Sequence, residues 1–231
     1  MTLFTGIRAC LFDAYGTLFD FASAAARCPG VPEHQRSLLT SIWRDKQLQY
    51  SWLRTIQGRY VDFWQVTGDA LDFALETLEI DNPDVRQALL DLYLTLDAFP
   101  EVPDTLMWLR QSGFKTAILS NGSPAMLDAA VSGAGLASLF DAVLSAASVR
   151  SYKTHPTVYQ YALDQLGLPP GAISFQSSNA WDAHAASEFG MRVVWCNRYG
   201  QRREHLPGSP DHEISTLAEL PRLLRRIVHN G

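Results

Sequence analysis

A short apolar run that stops at an acidic residue constrains this chain more than any other feature. Residues 7–12 are mostly apolar, and the string Asp13-Ala14-Tyr15-Gly16-Thr17 follows them directly. A buried strand that delivers a carboxylate to its C-terminal end, with Gly16 freeing the turn and Thr17 supplying a hydroxyl, is the usual way in which an open α/β sheet presents a nucleophile. We therefore predict that Asp13 is a nucleophile at the end of a strand.

The part of the chain after residue 100 alternates strand patterns with helix patterns. Strands are predicted at residues 115–119, 141–144, 173–175 and 192–196, and helices at residues 101–111, 124–132, 157–166 and 180–189. Such alternation is typical of βαβ units, which form a parallel sheet. The predicted fold class is therefore α/β, with a Rossmann-like, doubly wound parallel sheet as its core.

The segment between the first strand and residue 99 follows a different pattern. It has few strand signals and long helical patterns, such as those over residues 41–54 and 69–78. We predict a helical cap domain over residues 19–98, inserted into a core domain of residues 1–18 and 99–231. Because the insertion leaves the core directly after Asp13 and Thr17, it would cover the C-terminal edge of the sheet.

Charge and cysteine content narrow the classes of partner. The chain of 231 residues has a net charge of −5 and no basic run, which argues against a nucleic-acid or anionic-membrane partner and favours a small substrate. Its three cysteines, Cys10, Cys28 and Cys196, lack metal-ligand spacing, and no apolar run is long enough to span a bilayer. We expect a cytoplasmic protein with reduced cysteines.

Three further groups of polar residues follow predicted strands. Ser120-Asn121-Gly122 could hold an anion on its hydroxyl, amide and backbone N–H groups, although it is also an ordinary turn. Lys153, with Tyr159 six residues later, could orient the Asp13 carboxylate, although a lone lysine in a loop is usually solvated. The string from Ser177 to Asp182 is by itself consistent with a helix start that has an acidic first turn.

Taken together, these motifs resemble those of the haloacid dehalogenase superfamily, in the order Asp13 with Thr17, Ser120, Lys153 and Asp182. The strings Asp-Ala-Tyr-Gly-Thr, Ser-Asn-Gly and Ser-Ser-Asn-Ala-Trp-Asp are specifically similar to those of the L-2-haloacid dehalogenases, and the resemblance extends over nearly the whole chain. Two positions separate the chain from the superfamily's phosphatases. Tyr15 stands where those enzymes mostly carry a second aspartate that can protonate a leaving group, and Ser178 stands where a magnesium ligand is expected. We expect no metal and no other cofactor.

The resemblance implies a reaction and a set of roles. Asp13 would displace halide from C2 of an (S)-2-haloalkanoic acid with inversion, and water activated by Asp182 would hydrolyse the aspartyl ester to the (R)-2-hydroxyacid. The implied catalytic residues are Asp13, Thr17, Arg44, Ser120, Asn121, Lys153, Tyr159, Ser177, Asn179 and Asp182. The implied substrate-binding residues are Ala14, Tyr15, Leu48, Phe63, Ser120, Asn121 and Trp181, and the implied halide-binding residues are Arg44, Asn121 and Phe63.

Several alternatives stay open on the sequence. Arg44 could be a surface charge of an amphipathic helix, and the apolar residues could simply pack in the core. A phosphatase of the same fold, a hydrolase that uses the same aspartate on another activated carbon such as a small-ring carboxylic acid, and a non-catalytic binding protein are the rival functions. The resemblance also implies a possible homodimer through the helical insertion. Thr154 departs from the family pattern, which commonly has proline after the lysine.

Overall fold

Six parallel strands form one sheet in the computed structural model, which describes residues 4–21 and 30–228. The strands are β1 (Ala9–Phe12), β2 (Lys115–Ser120), β3 (Ala142–Ser145), β4 (Ile173–Ser177), β5 (Arg192–Cys196) and β6 (His212–Ile214). Their order across the sheet is β3-β2-β1-β4-β5-β6, and each neighbouring pair is parallel. Cys28 and the rest of residues 22–29 of the predicted cap lie outside the described residues.

Strand β1 lies at the centre of the sheet and is buried on both faces. Leu11 is in register with Ala117 of β2 and with Phe175 of β4, and all four side chains of β1 are fully buried. A strand that has a helix layer on each face must be apolar at every position. This explains why the run before Asp13 is continuously apolar and does not alternate with polar residues.

Helices cover both faces of the sheet and also form a separate layer before residue 93. The helices are α1 (Glu33–Ile56), α2 (Phe63–Thr77), α3 (Pro83–Leu92), α4 (Val102–Gln111), α5 (Pro124–Gly133), α6 (Pro156–Leu166), α7 (Ala180–Glu188) and α8 (Leu220–Val228). Side chains of α4, α5 and α8 pack in one buried cluster with Phe12 and Ile118, whereas those of α6 and α7 pack in a second cluster with Leu11 and Leu119. Because alternate strand residues face opposite layers, the sheet is doubly wound, as the sequence predicts.

The chain leaves the sheet and returns to it at one place. An isolated antiparallel bridge joins Phe19 to Ala98, and between these two residues the described elements are the helices α1, α2 and α3. These two residues are the predicted limits of the cap at residues 19–98. The division into two domains stays a prediction.

The predicted elements after residue 100 are all present, with ends that differ by one or two residues. Helix α1 begins earlier than the predicted segment of residues 41–54. Its first residue is the exposed Glu33, and Pro32 is its N-cap. Strand β6 and the helices α3 and α8 were not predicted; β6 has only three residues, of which two are exposed. No helix within the described ranges combines the length and apolarity that crossing a bilayer requires.

Candidate active site

The predicted polar residues meet at the carboxyl edge of the sheet. Asp13 follows β1, Ser120 ends β2, Lys153 follows β3 in the chain, and Ser177 ends β4. Since all these strands are parallel and adjacent, their carboxyl ends lie along the same edge, which is where open α/β sheets place their sites. Distant parts of the chain therefore contribute to one site.

Four side chains donate hydrogen bonds to the Asp13 carboxylate, which is only 6% exposed. The Lys153 Nζ atom lies 3.0 Å from Oδ1. The other oxygen, Oδ2, accepts hydrogen bonds from Asn179 Nδ2 at 2.7 Å, Thr17 Oγ1 at 3.1 Å and Ser177 Oγ at 3.3 Å. Burial removes water from the Asp13 carboxylate, and these four donors take the place of water as hydrogen-bond partners. They also fix the orientation of the carboxylate.

Lys153 connects Asp13 to a second buried carboxylate. Its Nζ atom lies 2.7 Å from Oδ2 of Asp182, and the hydroxyl of Tyr159 donates to Oδ1 of Asp182 at 2.7 Å. Asp182 has no exposed surface and Lys153 is 1% exposed. An ammonium group between two carboxylates makes a chain of alternating charges, in which each buried charge has an opposite charge beside it.

The electrostatics of this chain follow from burial and from the pairing of charges. Burial raises the pKa of Asp182 above its ordinary value, even though Lys153 and the Tyr159 hydroxyl act in the opposite direction. Burial tends to lower the pKa of Lys153, but the two carboxylates outweigh it and the pKa lies above its ordinary value. The pKa of Tyr159 is raised by burial and by the neighbouring Asp182. Lys153 therefore stays charged, while Asp182 is a stronger base than an exposed aspartate.

Ser178 ties the turn after Asp13 to strand β4. Its backbone N–H donates to Thr17 Oγ1 at 2.8 Å, and its hydroxyl donates to the carbonyl oxygen of Gly16. Gly16 has a φ of +81°, a conformation that glycine adopts without steric strain. Ser178 stands where a phosphatase of the resembled superfamily is expected to carry a metal ligand. Here its side chain supports the turn that carries Asp13. Among the described residues, no group of three or more histidine, cysteine, aspartate or glutamate side chains could hold a metal ion.

The turn after β2 positions the loop that carries Lys153. The Asn121 Oδ1 atom accepts the backbone N–H of Lys153 at 2.8 Å, and Ser120 Oγ accepts the backbone N–H of Gly122 at 3.1 Å. A Cβ atom on Gly122 would lie 2.9 Å from the ring of Tyr15, so only glycine permits this approach. The peptide bond between Lys153 and Thr154 is cis. The predicted motif of residues 120–122 thus contacts both the lysine loop and Tyr15.

Arg44 reaches the site from helix α1. Its Nη2 atom donates to Asn179 Oδ1 at 3.3 Å, and its Nη1 atom donates to Gln47 Oε1 at 2.6 Å. The same Gln47 oxygen accepts the Tyr93 hydroxyl at 3.2 Å, while Gln47 Nε2 donates to Thr67 Oγ1 at 2.8 Å. Arg44 is therefore oriented by a network that joins the described helices of the insertion, namely α1, α2 and the end of α3.

Sequence reasoning missed Gln47, Thr67 and Tyr93. Gln47 had a detectable signal, because a residue three positions after Arg44 lies on the same face of a helix. Tyr93 had no detectable signal in the sequence, since it lies at the end of another helix, α3, and approaches Gln47 from there.

A cavity of about 200 Å³ opens beside Arg44 and Asn179. Its walls are Tyr15, Gly16, Phe21, Thr40, Arg44, Ser178, Asn179, Tyr199 and Gln201. The Tyr15 hydroxyl is buried and has no hydrogen-bond partner among the described residues, and its ring packs edge-on at 5.4 Å from that of Tyr93. Burial raises the pKa of Tyr15, so the hydroxyl is neutral. Tyr199 and Gln201, from the loop after β5, were not predicted.

The other predicted apolar residues lie outside the walls of that cavity. Ala14 is fully buried beneath the turn, and Phe63 is buried with its ring centroid 5.8 Å from that of Tyr152. Trp181 packs edge-on against Trp52, at 5.6 Å between ring centroids. Leu48 is half-buried on α1, where its carbonyl oxygen accepts the Ser51 hydroxyl. Their predicted contacts with substrate stay predictions.

Comparisons with known proteins relate the whole chain to one family. A family model for haloacid dehalogenase-like hydrolases matches residues 7–190. (S)-2-haloacid dehalogenase 1 of Pseudomonas sp. (strain CBS-3) is 44% identical over 96% of this chain and 98% of that protein. The (S)-2-haloacid dehalogenase of Pseudomonas sp. (strain YL) is 46% identical over 91% of each chain.

A solved structure extends the likeness to three dimensions. It is that of an L-2-haloacid dehalogenase from Xanthobacter autotrophicus with chloropropionic acid covalently bound. Its sequence is 38% identical, the alignment covers 95% of this chain and 98% of that one, and the TM-score is 0.86. A similarity of this extent includes the insertion as well as the sheet.

Proposed function

The chain belongs to the haloacid dehalogenase-like hydrolases, and from this premise we propose that it is an (S)-2-haloacid dehalogenase. The substrate is a small (S)-2-haloalkanoic acid, and the products are the (R)-2-hydroxyacid and halide. One observation carries the proposal. The side-chain amide of Asn179 donates to the Asp13 carboxylate and accepts from the Arg44 guanidinium, so that one amide separates an anionic nucleophile from a cation.

In the first step, an Asp13 oxygen attacks C2 from the side opposite the halogen. The carbon–halogen bond breaks as the carbon–oxygen bond forms, and the halide leaves with the bonding electrons. Arg44 stabilises the charge that develops on the halide, because a cation aimed at the leaving group is worth most in the transition state. Backbone N–H groups near Tyr15 and Ser120 hold the substrate carboxylate and bring C2 within reach of Asp13. Backside attack inverts the carbon.

In the second step, water attacks the carbonyl carbon of the aspartyl ester. Asp182 accepts a proton from this water and returns it to the alkoxide oxygen as the acyl–oxygen bond breaks, so that the hydroxyacid leaves. The Asp13 carboxyl group that forms then releases the second proton of the water to solvent, which restores the carboxylate. The raised pKa of Asp182 suits this role, since a stronger base is better matched to proton transfer near neutral pH. Lys153 and Tyr159 orient Asp182, while Ser177 and Asn179 hold the ester and the water. Thr17 steadies Asp13 throughout.

The reaction needs no metal in this proposal. Halide leaves without protonation, so the reaction does not need the second acid with which phosphatases of this fold protonate the leaving group. Tyr15 stands at the position of that acid. Ser178 directs its hydroxyl to the Gly16 carbonyl oxygen. A carboxylate nucleophile that attacks a monoanionic acid also meets less repulsion than one that attacks a phosphate dianion.

We propose in addition a cytoplasmic location and a homodimer formed through the insertion. Cys10 and Cys196 are both free and buried, which suits a reducing compartment. Leu38, Leu53 and Ile56 expose apolar surface on α1, which a second copy could cover. Light scattering on the purified protein tests the dimer by its mass.

The experiment that tests the activity is a paired assay. Halide release is measured from (S)- and from (R)-2-chloropropanoate in excess EDTA, and p-nitrophenyl phosphate with Mg²⁺ is run alongside. We expect halide from the (S) acid only. Cleavage of the phosphate ester without halide release would favour a phosphatase of the same fold. No product in either assay would point to another carbon electrophile, such as a small-ring carboxylic acid, or to a binding role.

A further inference from the structure

Arg198 is a nearly buried cation that no step of the proposed reaction uses. It lies two residues after β5, and its side chain is only 8% exposed. Strand β4 alone separates β5 from β1, and all three strands are parallel, so Arg198 and Asp13 follow strands that end at the same edge of the sheet. Arginine side chains are rarely buried unless their charge is paired. The partners of Arg198 therefore indicate what it does.

One partner of Arg198 is the turn that carries the nucleophile. Its Nη2 atom donates to the backbone carbonyl oxygen of Thr17 at 2.8 Å. The hydroxyl of the same threonine donates to Asp13 Oδ2 at 3.1 Å and accepts the backbone N–H of Ser178 at 2.8 Å. A hydrogen bond from an ionised donor is shorter and stronger than one between neutral groups. Arg198 thus holds the backbone of the residue whose side chain holds the nucleophile.

The other partners of Arg198 lie where the chain returns from the insertion. Its Nη1 atom lies 2.7 Å from Oε1 of Glu101, the residue before α4. Its guanidinium carbon lies 3.8 Å from the centre of the Phe99 ring, a distance typical of a cation–π contact. The backbone N–H of Phe99 in turn donates to the carbonyl oxygen of Leu18 at 2.9 Å. One guanidinium therefore joins the segment that leaves the core to the segment that returns to it.

The charge of Arg198 is already paired, in contrast to that of Arg44. Burial acts to raise the pKa of Glu101, but hydrogen bonds and the Arg198 guanidinium outweigh it and hold that pKa below its ordinary value. Glu101 is therefore ionised near neutral pH and compensates Arg198. Among the described residues, no hydrogen bond joins Arg198 to the Asp13 carboxylate itself. Arg198 is thus neither a halide site nor a direct partner of the nucleophile, and any effect on Asp13 passes through Thr17.

We propose that Arg198 is a positioning residue for the displacement step, because its guanidinium fixes the turn of residues 13–17 to the junction at Phe99 and Glu101. The effect on rate rests on the proposed function, whereas the hold on the turn does not. An Asp13 oxygen must approach C2 in line with the bond to the halogen. A misplacement of about 1 Å in such a step can cost about 10²-fold in rate. A turn that is loose at Thr17 therefore slows displacement without weakening substrate binding to the same extent.

Hydrogen exchange of backbone amides, followed by NMR on the whole protein, tests the hold on the turn without turnover. Arg198→Met keeps a long side chain that can pack on Phe99 but removes every donor. We expect the Ser178 amide to exchange at least about ten-fold faster in this variant, because its acceptor Thr17 loses support. The amide of Leu11, at the centre of the sheet, is the internal reference for global unfolding. No change at Ser178, or the same fold-change at Leu11, would overturn the proposal.

Two further variants separate positioning from a merely structural role. Glu101→Gln removes the ion pair but leaves the contact between Arg198 and Thr17, so the exchange of Ser178 relative to Leu11 should stay within about two-fold of that in the unmodified protein. If Glu101→Gln and Arg198→Met had equal effects, Arg198 would only anchor the start of α4, and the proposal would fail. Arg192→Ala is the matched control, since Arg192 lies on β5 and pairs with Asp211. It should leave both exchange and activity unchanged.

Single-turnover halide release from (S)-2-chloropropanoate tests the effect on the reaction. In Arg198→Met we expect the rate at saturating substrate to fall at least about ten-fold, while the concentration for half-maximal rate changes by less than about three-fold. In Glu101→Gln the rate should stay within about two-fold of that of the unmodified protein. An unchanged rate in Arg198→Met, or a raised half-maximal concentration alone, would overturn the role in displacement. Absence of halide from the unmodified protein would instead refute the proposed function, and the exchange result would still decide the hold on the turn.

Arg198→Lys decides the question if Arg198→Met does not fold. Its ammonium group keeps the charge beside Glu101, but it lacks the planar fork with which a guanidinium donates to two acceptors at once. We then expect Ser178 to exchange at least about three-fold faster relative to Leu11, with halide release slowed to a similar extent. Exchange and release equal to those of the unmodified protein would overturn the proposal.

Discussion

The two sides of the candidate site hold their charges in different ways. On the sheet side, Asp13, Lys153 and Asp182 form a buried chain in which each charge is next to an opposite one. On the insertion side, Arg44 donates to the neutral oxygens of Gln47 and Asn179, and no carboxylate within the described residues forms a salt bridge with it. On the sheet side each charge already has an opposite charge beside it, with one ammonium group shared by two carboxylates, whereas the Arg44 charge is available to an anion. The difference supports the proposal that covalent chemistry belongs to the first side and halide release to the second.

Replacing Asp13 should abolish the covalent chemistry on the sheet side of the site. We expect Asp13→Asn to lower turnover at least about 10³-fold, because an amide is a poor nucleophile and the ester cannot form. Steady-state halide release measures this loss, and mass spectrometry confirms that the introduced amide has not been hydrolysed back to the acid. Asp104→Asn, in the first turn of α4, is the matched control and should keep full activity. Near-normal turnover in a stable Asp13→Asn protein would disprove the nucleophile.

Replacing Asp182 should separate the two steps. Asp182→Asn removes the base but leaves Asp13 in place, so we expect one equivalent of halide followed by turnover lowered at least about 10²-fold. The aspartyl ester should accumulate, and intact-protein mass spectrometry after mixing with (S)-2-chloropropanoate should detect the mass of the attached acid. Loss of the first equivalent of halide as well would show that Asp182 also serves the displacement.

Removing Arg44 should impair the first step alone. We expect Arg44→Ala to slow single-turnover halide release by about 10²- to 10³-fold, the usual effect of removing one stabilising group from a closed site. Arg54→Ala is the matched control, since Arg54 lies on the same helix but pairs with Asp69. If halide release in Arg44→Ala matched that in Arg54→Ala, Arg44 would be a surface charge of α1.

The smallest of these effects concerns pH. The Tyr159 hydroxyl donates to Asp182, and this hydrogen bond lowers the pKa of a carboxyl that burial raises. Tyr159→Phe should therefore raise that pKa further. Because Asp182 must be ionised to act as a base, the acid limb of the kcat profile should move to higher pH. Below the limb, kcat should fall about ten-fold for each pH unit by which the limb moves, with little loss on the plateau.

The pH profile needs a control for general effects of losing a hydroxyl. Tyr161→Phe, on the same helix and outside the site, should leave the acid limb where it is in the unmodified protein. An acid limb in Tyr159→Phe that stays in place or moves to lower pH would contradict the assignment of Asp182 as the base.

Most of the sheet side could be predicted from the sequence because each of its residues follows a strand pattern directly. Asp13, Ser120 and Ser177 are placed by the ends of β1, β2 and β4, and parallel strands bring such ends to one edge. Residues that reach the site from helices or long loops have no such positional rule. Gln47, Tyr93 and Tyr199 were missed for this reason, although Gln47 shares a helix face with Arg44.

The sequence by itself determined the order of the motifs, the sheet that carries them and the family, because these depend on local patterns and on neighbouring residues. Only the tertiary structure decided which partners each charge has. Lys153 lies 140 positions from Asp13 and 29 from Asp182 along the chain, yet its ammonium contacts both. Pairing of charges depends on distances of a few ångströms in space, and these are set by how strands and helices pack, which no local pattern records.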